Sequence, residues 1–224
     1  MIQKLGLILE CDAGGPDELV FKCLVRRLSP ETKVLVRTQG NKPAVFERGA
    51  DVAKSLVETD GCDLVLVVWD LKPLFEDAGN CVDETDDLKA NLAGLPPETR
   101  KRVKLLCLSY ELETWLLADA EAVRGHLSKP TRPCKWRGSK SPETFSDAKS
   151  TLNKVFKDFR GQRYEDFREA IQIASRWSTT TKFRGVSSFE RFVNLLTGDP
   201  ASDFQLDGSV CDDLCHSGQM MGRN

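Results

Sequence analysis

With only two histidines in 224 residues, the chain has little scope for histidine-ligated metal or histidine-based nucleophilic chemistry. No apolar run approaches the roughly 18–20 residues that a membrane span needs. The opening MIQKLGLILECD has one lysine and a short apolar run ending in acids, so it reads as a first strand and not as a signal peptide. The chain is therefore expected in the cytoplasm. An excess of one charge is also missing. Lys+Arg number 32 and Asp+Glu 34, so no global field draws the chain to nucleic acid, and any such contact needs a local basic patch. There is no internal repeat. The eight cysteines form no framework: most are scattered, several lie in apolar runs, and they read as reduced thiols packed as small hydrophobes. The one cluster, Cys211, Cys215 and His216, lacks a second ligand pair at zinc spacing.

What is present is an ordinary globular composition, long enough for one sizeable core with or without a small appendage. Residues 5–10 form a near-continuous apolar run, as in a strand buried on both faces. Residues 17–28 carry Leu19, Val20, Cys23, Leu24 and Leu28 on one helical stripe. Further strands are expected at 33–37, 63–69 and 102–110, with helices at 46–58 and 83–92. Another helix begins at Glu111, with Leu112, Trp115, Leu116 and Val123 on one face. This alternation predicts an α/β fold: a mainly parallel sheet of about four strands flanked by helices, with right-handed crossovers. Residues 1–125 form that core. Residues 126–197 add a basic loop and a helical extension, with helices at 145–159, 164–177 and 188–197, packed on the core. Residues 198–224 read as a polar, flexible tail.

Acids collect where strands end. Glu10 follows the first strand, Asp70 the third, and Glu111 and Glu113 the fourth, while Asp17 and Glu18 open the first helix. In an open parallel sheet the carboxyl ends of the strands are the usual ligand edge. Magnesium prefers oxygen ligands, so acids brought together from separate strand ends suit it. Each acid also has a plain structural reading. Asp17 and Glu18 follow Pro16 and suit the positive end of a helix. Asp70 can start a turn before Pro73, and Glu113 can be a solvated helix residue. Glu10 is harder to explain that way, because a charge after an apolar strand is costly without a partner.

Glu10, the Gly15-Pro16-Asp17-Glu18 step, LVLVVWD ending at Asp70, and YELETWLLAD together resemble the topoisomerase–primase (Toprim) fold. More narrowly, the chain resembles the small Toprim-like proteins of bacteria and their defence islands, over roughly residues 4–197. The resemblance implies that Glu10, Glu18, Asp70 and Glu111 are catalytic. It further implies that Glu10, Asp70, Glu111 and Glu113 hold Mg2+, with Mn2+ as a substitute. The implied activity is a metal-dependent nuclease, possible partners being an ATPase or another defence-system subunit, or a second copy of the chain. Two departures stand out. The step from Glu10 to Glu18 is stretched, as if CDAG were inserted, and Lys72 replaces the second acid of an Asp-x-Asp motif.

A basic stretch, KPTRPCKWRGSK, supplies Lys129, Arg132, Lys135, Arg137 and Lys140 around Trp136. Basic side chains neutralise phosphates and an aromatic stacks on an exposed base, so with Lys72 this loop is a candidate contact for DNA or RNA. Equally, it reads as a solvated loop pinned by its one tryptophan. An alternative to the nuclease is a catalytically degenerate module that binds nucleic acid or a partner subunit.

Overall fold

A computed structural model describes residues 2–75, 80–138, 142–145, 147–199 and 203–215. Its core is a four-stranded, fully parallel sheet with strand order β2-β1-β3-β4. The strands are β1 (Lys4–Leu9), β2 (Lys33–Thr38), β3 (Leu64–Asp70) and β4 (Val103–Leu108). Helices α1 (Pro16–Leu28) and α2 (Lys42–Glu58) make the first two crossovers. Helices α3 (Cys81–Leu92) and α4 (Pro97–Arg102) lead into β4. The order turns at β1: β2 lies on one side of it and β3 on the other, so the gap beyond the ends of β1 and β3 is the topological switch point.

Alternation along the strands builds two cores. Leu5, Leu7, Leu9, Leu66 and Val68 face α1 and the C-terminal helices. Ile8, Val65, Val67 and Trp69 face α2 and α3. Such runs, apolar on both faces, are what a parallel sheet covered by helices requires. Gly6 lets α2 come close. A Cβ there would stand 3.0 Å from Leu56, 3.1 Å from Val65 and 3.3 Å from Cys62.

The second half of the chain supplies α5 (Glu113–Ala118), α6 (Ala120–Leu127), α7 (Ala148–Arg160), α8 (Asp166–Ala174) and α9 (Ser187–Thr197). The stripe expected to run as one helix from Glu111 is broken at Asp119. Its buried carboxylate accepts from the N–H groups of Glu121 at 3.0 Å and Ala122 at 3.1 Å, and so starts α6. An aromatic cluster joins this half to the sheet. Phe21 of α1 lies 5.3 Å from Trp115 and 5.1 Å from Phe192, and Trp115 lies 5.0 Å from Phe189. The indole N–H of Trp115 donates to Ser188 at 2.9 Å.

Two expectations are corrected. Cys23 and Cys211 form a disulfide, as do Cys81 and Cys107, while Cys11, Cys62, Cys134 and Cys215 are free thiols. Sequence spacing gives no hint of either pair, because tertiary folding brings the partners together. The second correction concerns residues 203–215, expected as part of a flexible tail. They are packed against α1 and α8, with Leu206, Cys211, Leu214 and Cys215 buried and Arg26 paired to Asp213 at 2.7 Å. His216 lies outside the described residues.

Because one aromatic cluster serves both halves, Phe192→Ala is expected to cost about 3–5 kcal/mol and to leave a single urea transition. Two separate transitions, or a loss below about 1 kcal/mol, would contradict a shared core.

Candidate functional site

A cleft of ≈ 390 Å³ opens where β1 and β3 end. Glu10, one residue beyond β1, and Asp70, the last residue of β3, stand at its base and are joined directly. The Asp70 N–H donates to Glu10 Oε2 at 3.1 Å. Glu111 and Glu113 enter from the turn after β4, so four of the expected acids line one cleft. Asp12, Asp17 and Asp166 line it as well.

Glu18 is not among the lining residues. With Pro16 as the first helical residue, Asp17 faces the cleft, and the next residue is rotated by about 100°. Glu18 instead accepts from the Gly14 N–H at 2.8 Å and pairs with Lys22 one turn along the helix. Its role is to close the loop between β1 and α1. Asp17 occupies the place that the sequence pattern assigned to Glu18.

Crowded carboxylates out of water resist ionisation. Burial raises Glu10 to about 7. The Asp70 N–H opposes this and the Asp17 charge adds to it. Burial raises Glu113 to about 7, helped by Glu111, and raises Asp17 to about 6. Asp70 is raised well above the usual carboxylate range by burial and by the charges of Asp17, Glu10, Glu113 and Glu111. Its Oδ1 is buried and has no hydrogen-bond partner among the described residues. The phenol of Tyr164, buried beside Glu113, is also pushed up, first by burial and then by that carboxylate.

Two ammonium groups reach the cleft, and the sequence pattern flagged neither. Lys42, the first residue of α2, pairs with Glu84 at 2.6 Å and donates to the carbonyls of Leu71 and Pro73, each at 2.8 Å. The Trp69 indole holds the other Glu84 oxygen at 2.7 Å. Lys149, the second residue of α7, donates its backbone N–H to Glu111 at 2.6 Å and its ammonium to Asp166. Burial opposes the Lys149 charge, but Asp166, Glu113 and Glu111 outweigh it and raise the group. These pairings join residues far apart in sequence, so no local motif announces them.

Lys72 does not line the cleft. Its ammonium lies 5.6 Å from the centroid of the Tyr110 ring, and its N–H donates to the Tyr110 carbonyl at 2.8 Å. Tyr110 itself has φ 72°, a left-handed conformation costly for a bulky residue, at the turn that delivers Glu111. The basic loop also stands apart. Lys129 and Arg132 close a tight bridge, and Arg132 donates to the Asp158 carbonyl at 3.0 Å. Lys135 and Arg137 are exposed, while Trp136 is half-buried against the main core. None of these five lines the cleft. Lys140 lies outside the described residues.

Among the described residues, no three of His, Cys, Asp and Glu already stand as a metal cage. The donor set nevertheless fits a hard cation. Glu10, Asp17, Asp70 and Glu113 offer only oxygens, they repel one another, and Asp70 Oδ1 lacks a partner. Glu111 is already engaged by the start of α7.

Without a metal, the proton-bound forms of Glu10 and Glu113 are favoured in the folded chain. The stability they contribute is complete below about pH 4.5 and is lost as pH rises through about 7. In EDTA, the melting temperature is therefore expected to fall over that window. Asp70→Asn removes the most crowded charge and should raise Tm at pH 7 by about 2–4 °C per kcal/mol of repulsion relieved. A lower Tm for Asp70→Asn under those conditions would show that the carboxylates do not repel. Scanning calorimetry at several pH values checks both.

No protein-family model, curated protein or solved structure matches the chain.

Proposed function

We propose that this cleft hydrolyses phosphodiester bonds in DNA or RNA with the help of one bound Mg2+, which Mn2+ can replace. The observation that carries the reading is the set of four mutually repelling carboxylates at the β1/β3 switch point, with Asp70 Oδ1 buried and unpartnered among the described residues. Glu10, Asp17, Asp70 and Glu113 would hold the ion. When bound, such an ion polarises a phosphoryl oxygen and makes a coordinated water acidic. Resemblance to the Toprim fold supports the same reaction class, and a role in defence against foreign DNA rests on that resemblance alone.

The protein's own groups do the rest. Glu10 Oε2 is fixed by the Asp70 N–H, which leaves Oε1 to take a proton from water. The first turns of α1, α2, α7 and α8 border the cleft, where the positive ends of helices favour negative charge. Lys129, Arg132, Lys135 and Arg137 lie outside the cleft, and are assigned to the strand beyond the cleaved bond.

A second reading is binding without cleavage, since Lys72 stands where an Asp-x-Asp motif has its second acid. In that reading the chain binds nucleic acid or a partner subunit such as an ATPase. Single- and double-stranded DNA and RNA, incubated with Mg2+ or Mn2+, separate the two. Wild type is expected to cleave at least one substrate, and Glu10→Ala to lose about 100-fold or more in rate. No metal-dependent cleavage of any of them would sink the nuclease reading. Salt-sensitive binding in that case would support the second.

A further inference from the structure

We propose that Lys42 permanently fills the place of a second cation, so that the cleft takes one divalent ion per chain and not two. The inference rests on the metal-dependent reading above and sets its stoichiometry. Lys42 is a positioning residue: it fixes other groups and makes no contact with substrate.

The Lys42 side chain is only 3% exposed, unusual for a lysine, and Glu84 opposite it is fully buried. Asn41 caps α2 by accepting from the Ala44 N–H at 2.9 Å, so the first turn that carries Lys42 is fixed. An ammonium has three N–H donors. Two of those of Lys42 go to backbone carbonyls, and a Glu84 carboxylate oxygen lies 2.6 Å from the ammonium as an ion pair. The Phe75 ring, with its centroid 4.8 Å away, covers another side. One carboxylate and two carbonyls make an oxygen shell of the kind a hard divalent ion takes. Here a covalently tethered cation already holds it. The two carbonyls belong to Leu71 and Pro73, immediately after Asp70, so the same contacts hold the backbone that presents Asp70 to the cleft.

On the other side of the cleft, Asp166 is paired to the Lys149 ammonium and Glu111 to its N–H. Of the other lining acids Asp12 is exposed, which leaves Glu10, Asp17, Asp70 and Glu113 as the carboxylates for metal. Magnesium usually takes one or two carboxylates and fills its shell with water and phosphate oxygens. A two-metal site sets a second ion about 3.5–4 Å from the first and needs a second ligand set. The oxygens that border Asp70 on the α2 side are already engaged by Lys42.

Mn2+ titration followed by electron paramagnetic resonance counts bound ions without requiring turnover. Wild type is expected to bind one ion per chain, with Asp70→Asn weakening it about tenfold or more. Two ions on wild type would overturn the inference and leave the phosphodiesterase reading standing. No bound ion would overturn that reading itself. Lys42→Ala, shown by circular dichroism to be folded, should bind a second ion in the vacated oxygen shell. A folded Lys42→Ala that still binds one ion would refute the role given to Lys42. If Lys42→Ala does not fold, Lys42→Met/Glu84→Gln keeps the space filled and uncharged and should bind one ion. Two ions on that double variant would overturn the inference.

Discussion

Carboxylates that cannot escape one another dominate this molecule. Glu10 and Asp70 end two adjacent central strands, and strand pairing fixes their separation whatever their charges prefer. Strands apolar on both faces must be covered by helices on both faces, so the polar ends of β1 and β3 can open only along the sheet's carboxyl edge. Hydrophobic burial of the sheet thus compels the acids to share a half-buried cleft. The raised proton affinity of Glu10, Asp17, Asp70 and Glu113 is the electrostatic consequence.

The fold offsets this repulsion in three ways. Backbone N–H groups act first: Asp70 donates to Glu10, and the start of α7 donates to Glu111. Helix ends act next, since Asp17, Lys42, Lys149 and Asp166 all lie in first turns that border the cleft. Tethered ammonium groups act last, and they are placed unequally. Lys42 is buried, whereas the Lys149 side chain is about half exposed. A buried pair such as Lys42 with Glu84 brings little net stability, because the cost of desolvation rivals the attraction. Its value lies in geometry: it ties α2, α3 and the segment after β3 into one rigid wall of the cleft.

Much of this was legible in the sequence, for identifiable reasons. Apolar runs and helical stripes predicted the four parallel strands and the helices that cover them. Strand ends then pointed to Glu10, Asp70, Glu111 and Glu113. What escaped depends on rotation or on distant contact. Whether Asp17 or Glu18 faces the cleft depends on where α1 starts. Lys42 finds Glu84, and Lys149 finds Asp166, only after the sheet has been assembled. The basic loop is set apart from the acids: Trp136 packs against the core, and Lys129, Arg132, Lys135 and Arg137 do not line the cleft.

The division into an α/β core and a helical extension, natural in the sequence, is therefore a poor guide to the energetics. Without residues beyond 125, Glu111 would lose the Lys149 N–H that holds it, and Glu113 would lose the cover of Tyr164. Trp115 and Phe21 would lose Phe189 and Phe192, and the Trp115 indole would lose Ser188. Trp115 lies two residues beyond Glu113 on the same short helix, so the packing that buries the indole also aims the carboxylate. The helical half belongs to the site as fully as the strands do: the sheet brings the acids together, and α7, α8 and α9 hold the fourth-strand acids where the others can reach them.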